Sequence, residues 1–188
     1  MMDDRLESMY GYFREKPAEG DPLSELARQS TLGEYFAHLI ERAPFYLNDV
    51  QVNLVANGEW DHPPDREDLE RATRRIVAAS FPGVVDRFDE SLVAAEYALK
   101  PLFPTLRCAQ PPANVSRPPN VPLAVRLARV KEACGPAVYE QLVKLNVLDY
   151  ELLDRARAEV LRRFEQTPDH AARLQSLRQV IATRGPLG

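Results

Sequence analysis

Arg5 and Ser8 stand three positions apart in the chain. On a helix that spacing puts a guanidinium and a hydroxyl on one face, which is what gripping a single phosphate requires. A helix N-terminus adds partial positive charge at the same place. Asn114, Ser116 and Arg117 form a second polar group, on a loop between prolines. Both groups also have a plainer reading, as an ordinary solvated turn or loop. The Asn-Val-Ser triplet at 114–116 fits a glycan acceptor, but no secretory signal accompanies it.

The remaining reactive residue types are sparse. His38 falls beside the apolar stripe of its helix, where a boundary histidine is commoner than a catalyst. His62, between Asp61 and Pro63, is a base by composition, yet its loop offers no partner arrangement. His170 opens the last helical segment. None of the three is assigned a role. Cys108 and Cys134 are the only cysteines, too few for a disulfide framework and without zinc-ligand spacing. They read as inert thiols or one bridge.

The elements that must position these residues are helices separated by proline. An apolar stripe of Leu6, Met9, Tyr10 and Phe13 predicts a helix over 2–16, ended by Pro17 and Gly20. Asp21-Pro22 is an N-cap followed by proline at the first helical position, opening a short helix through Arg28. Thr31 and Glu34 form a capping box ahead of Tyr35, Phe36, Leu39 and Ile40. Residues 45–55 continue as an apolar stretch stopped by Asn57-Gly58. Asp65 caps a helix carrying Leu69, Ala72, Ile76 and Val77 on one side.

After Phe81-Pro82-Gly83, the β-branched pair Val84-Val85 marks 84–88 as the best strand candidate. Asp89 reads as the N-cap of a helix over 90–102, with Arg87 pairing a carboxylate. Residues 111–122 hold five prolines and form an extended connector. Helices follow over 123–133, 137–145, 148–164 and 170–182.

Composition sets outer limits. The chain has 188 residues, 45% hydrophobic and 28% charged, with a net charge of -4. That suits a globular protein with a core, and the scattered Lys and Arg argue against nucleic acid as a partner. No apolar run is long enough to cross a bilayer, so no membrane partner is expected and a cytoplasmic protein is.

Three stretches carry a resemblance to a known family. Residues 83–92, Gly-Val-Val-Asp-Arg-Phe-Asp-Glu-Ser-Leu, look like the VGLTERFDESL segment of the sulfotransferase family 2 domains, which include bacterial carbohydrate sulfotransferases and heparan sulfate 2-O-sulfotransferases. Residues 146–152 are similar to the NALDIELY stretch opening that family's last long helix, and 114–118 resemble the polar loop before the closing helical pair. Arg5, Ser8 and Tyr10 match the second half of its RDPVxRxxSxY motif, which grips the 3′-phosphate of the donor.

The resemblance, over roughly 3–166, implies a sulfotransferase-like domain with a helical tail at 167–188. It implies a mostly α fold, the helical later part of an α/β P-loop-like sulfotransferase. The implied cofactor is 3′-phosphoadenosine 5′-phosphosulfate, with Arg5, Ser8, Asn114, Ser116 and Arg117 as nucleotide-binding residues. The implied acceptor is a hydroxyl of a carbohydrate or small metabolite. No Gly-, Lys- and Ser/Thr-rich phosphate loop occurs in these residues, and the family's base has no counterpart, so no catalytic residue is assigned. A truncated or degenerate relative is expected. Gln51-Val52-Asn53 departs from the family's Gln-Thr-Arg, trading a charged fork for an amide. The alternative is a non-catalytic helical interaction module that keeps only the family's packing.

Overall fold

A computed structural model describes residues 2–17, 20–60, 62–109 and 123–184. Its α-helices run in chain order as α1 (Met2–Glu15), α2 (Pro22–Gln29), α3 (Leu32–Arg42), α4 (Val50–Ala56) and α5 (Arg66–Ala78). They continue as α6 (Phe88–Leu99), α7 (Leu123–Cys134), α8 (Pro136–Lys144), α9 (Val147–Gln166) and α10 (His170–Arg184). Short 3-10 turns lie at Pro44–Tyr46 and Val85–Arg87. The protein is mostly helical, well beyond half of the described residues, and no strand occurs among them.

Local chemistry sets the helix starts. The Asp21 carboxylate accepts from the Leu23 N–H, with Pro22 beginning α2. Thr31 and Glu34 close both halves of the capping box on α3. Asp65 accepts from the Glu67 and Asp68 N–H groups ahead of α5.

The chain divides into two compact units, Met1–Leu69 with Asn120–Glu151 and Glu70–Pro119 with Leu152–Gly188. The first is built on Leu6, Tyr35, Phe36, Leu39, Leu47 and Leu142, each at most 1% exposed. Gly33 lets α3 and α7 approach closely: a Cβ there would stand 3.0 Å from the carbonyl oxygens of Ala133 and Cys134. In the second unit Val93, Ala109, Phe164 and Leu177 form the buried centre, with Leu174 and Val180 of α10 packed on it. Cys108 and Cys134 are both free thiols.

The strand expected at 84–88 does not form. Val84 is extended, but the chain then turns through the 3-10 segment and enters α6 at Phe88. A strand needs a neighbouring backbone to bond with, and here Ser91 supplies the substitute: its hydroxyl donates to Arg87 O at 2.7 Å and accepts from Val84 N–H at 3.2 Å. Val85, which the pattern would bury, is 89% exposed. Asp89 is also not the N-cap, which falls on Arg87 and lacks a side-chain bond. Asp89 lies in the first turn and accepts from Arg178 at 2.9 Å, while Arg87 pairs with Glu90 at 3.6 Å.

Candidate functional site

Arg5 and Ser8 both lie on α1, and their surroundings differ. Ser8 is exposed. Arg5 is partly buried, and its Nη2 donates to Asn146 Oδ1 at 2.9 Å. Burial opposes the Arg5 charge, and the nearby carboxylates of Asp149 and Asp49 support it. Its Nε is buried without a hydrogen-bond partner among the described residues. Asn114, Ser116 and Arg117 lie outside those residues.

Around Arg5, two helix starts exchange caps. The Asp149 carboxylate, in the first turn of α9, accepts from the N–H groups of Gln51 at 3.1 Å and Val52 at 2.8 Å, which open α4. Asp49, the residue before α4, makes no cap bond to its own helix. Instead its Oδ1 accepts from the Asp149 N–H at 2.8 Å, while its own N–H donates to Leu145 O. Asp49 sits in the left-handed region at φ 44, a conformation Asp tolerates better than most residues. Each helix thus satisfies the orphan donors of the other, across 100 residues of sequence.

This clasp puts two carboxylates out of water, Asp49 at 5% and Asp149 at 8% exposure. Burial pushes the Asp49 carboxyl up to about 6, opposed by backbone N–H groups and aided by the Asp149 charge. Asp149 is also raised by burial, with the Val52 and Gln51 N–H groups and Arg5 acting the other way. Asn146, fully buried, donates to Leu142 O and holds Arg5 with its carbonyl.

Asn53 is committed nearby: it is buried, its Nδ2 donates to Glu59 O at 3.2 Å, and Gly58 presses against it. The histidines contribute nothing to this region: His38 and His62 are exposed, and the His170 ring packs edge-on against Phe164 in the other unit. No group of His, Cys, Asp and Glu able to hold a metal occurs among the described residues. No helix among them is long and apolar enough to cross a membrane.

Sequence reasoning missed Asp49 altogether and noted Asn146 and Asp149 only as part of a resembling stretch. An Asp ahead of an apolar run is an N-cap signal, so each half of the clasp had a trace. The exchange of partners had none.

No protein-family model matches the chain, and no solved structure does. An uncharacterized protein of Archaeoglobus fulgidus is 27% identical over 156 residues, covering 80% of this chain and 60% of that protein. The chain therefore spans about 60% of the length of the curated relative it matches.

Proposed function

We propose that the chain is a sulfotransferase-like protein, related to enzymes that move a sulfuryl group from 3′-phosphoadenosine 5′-phosphosulfate to a hydroxyl of a carbohydrate or small metabolite. Its part in that chemistry is to hold the 3′-phosphate end of the nucleotide with Arg5 and Ser8 of α1, assisted by Asn114, Ser116 and Arg117. On this reading it corresponds to the helical later part of an α/β sulfotransferase domain and works in the cytoplasm.

The observation that carries the reading is a convergence within one compact unit. Two stretches that resemble the family, around Arg5 and from Asn146 onward, meet through the bond from Arg5 to Asn146. The Arg5 Nε is buried without an acceptor among the described residues, a donor left to be satisfied. The nucleotide would supply the activated sulfuryl group. Arg5 and Ser8 would bind and orient it.

Transfer itself needs donors around the 5′-phosphosulfate and a base, and these 188 residues contain no recognisable set of either. The chain alone is therefore a binder. A second reading, a non-catalytic helical module, draws on the engagement of Arg5 with Asn146 and two aspartates, which makes it a structural cation.

Thermal melting with 3′-phosphoadenosine 5′-phosphate separates the two. Affinity belongs near the millimolar level, about -4 kcal/mol. At ten times that dissociation constant the folded state gains ~1.4 kcal/mol, or roughly 3–5 °C in Tm. No shift at that concentration favours the module.

A further inference from the structure

We infer that the second unit carries a binding site for a small amphipathic acid, an apolar body with one anionic head, in the cavity between α6 and α10. The site shares no residue with Arg5, Ser8 or the 114–117 loop and takes nothing from the function proposed above.

The cavity follows from how the chain returns after α6. Glu96, in the last turn of that helix, accepts from Arg107 Nη1 at 3.1 Å with one carboxylate oxygen and from the Cys108 N–H at 3.0 Å with the other. Ala109 then joins Val93 and Leu177 in the buried centre of the unit. Alanine has only a methyl group to place there, and a cavity of about 430 Å³ opens beside it, with Leu92 and Val180 also on its walls. That volume lies within the range of small-molecule sites. At the ~30 Å³ that one water takes in the liquid, it has room for a molecule of about ten non-hydrogen atoms together with some solvent. Hydrocarbon in contact with this apolar lining is favoured over water.

The charges at the mouth select the head group. Its ionisable side chains are Arg107 and Arg173 against Glu96 alone, two guanidiniums to one carboxylate. Both Glu96 oxygens are committed to the 107–108 backbone and side chain, so Glu96 does not neutralise Arg173. Among the described residues Arg173 forms no ion pair: its Nε donates to Pro168 O at 2.8 Å, and its guanidinium lies 5.8 Å from the Tyr97 ring centroid. Those contacts hold the side chain at the mouth and leave its Nη groups to a ligand. A carboxylate there would gain a charge-assisted pair, and the Ser176 hydroxyl, three positions along the same helix, adds a donor.

The test is methyl and amide NMR of the full 188-residue chain titrated with octanoate, 1-octanol and octylamine. Octanoate, with about ten non-hydrogen atoms, should bind near the millimolar level and shift the methyl signals of Leu92, Val93, Leu177 and Val180. Octanol should bind at least roughly tenfold more weakly, as loss of a hydrogen bond to a charged group requires, and octylamine more weakly still. Arg173→Gln should bring octanoate to the affinity of octanol and leave octanol unchanged, which a site made by apolar contact alone would not do. Ser176→Trp, an exposed position whose new ring would stand in the mouth, should remove binding of both, and it decides even where Arg173→Gln does not fold. Equal binding of the three compounds, shifts that miss these methyl groups, or octanoate binding unmoved by either variant would overturn the inference.

Discussion

Replacing Asp49 by Asn should stabilise the protein at neutral pH and remove a decline in stability on its acid side. The Asp49 carboxyl is raised from 3.8 to about 6, so between those values the folded chain holds a proton that the unfolded chain releases. The sign follows: this group's contribution is most favourable at low pH, falls as pH rises through about 4 to 6, and is flat above. About two units at 1.36 kcal/mol each set an upper bound of roughly 3 kcal/mol. Asn stays neutral, keeps a carbonyl for the Asp149 N–H and tolerates the left-handed φ of 44. Its amide N–H groups cost part of the gain where they lack acceptors, which leaves about 1–2 kcal/mol at pH 7.5, or roughly 2–8 °C in Tm. Melting followed by circular dichroism from pH 4 to 8 measures it. The parent and variant should converge near pH 4 and separate up to pH 6. A variant with the parent's pH profile, or one less stable at pH 7.5, would refute the charge reasoning.

Gly58→Ala should destabilise by about 1–3 kcal/mol in urea unfolding, because its Cβ would stand 2.1 Å from the Oδ1 of buried Asn53. Arg163→Ala should cost about 2–3 kcal/mol, since its guanidinium serves the carbonyls of Val77, Ala79 and Ser80 at the end of α5 as well as Glu159. Arg162 and Arg163 hold the Glu159 carboxyl at about 2, a contribution present above 4.5 and lost as pH falls toward 2, so the variant should lose less than the parent over that window. In a radiolabelled-donor assay the purified chain should show no sulfuryl transfer, because the electrostatic and proton-transfer contributions it lacks are each worth on the order of 10² to 10⁴ in rate; turnover would refute this.

The helices were legible because their signals are local. The capping box of Thr31 and Glu34 and the stripe of Tyr35, Phe36 and Leu39 depend on neighbours within a turn or two, and the structure buries that stripe. Val84-Val85 misled because a β-branched pair between turn residues reports only local backbone preference. Whether another strand lies beside it is a tertiary fact, and Ser91 meets the need instead. The clasp was illegible for a related reason: Asp49 and Asp149 each look like ordinary caps, and only the fold tells which helix each one serves. Likewise Arg5 and Ser8 share a helix face by spacing, but the pull of Asn146 and two carboxylates on Arg5 comes from residues on other helices, far along the chain.

Titration calorimetry of 3′-phosphoadenosine 5′-phosphate into the parent and the Ser8→Ala chain tests the proposed phosphate grip most directly. The account predicts weak binding near the millimolar level for the parent, and at least roughly tenfold weaker binding for Ser8→Ala, as loss of a hydrogen bond to a charged group requires. Equal binding by both chains, or no heat from the parent at millimolar nucleotide, would contradict it.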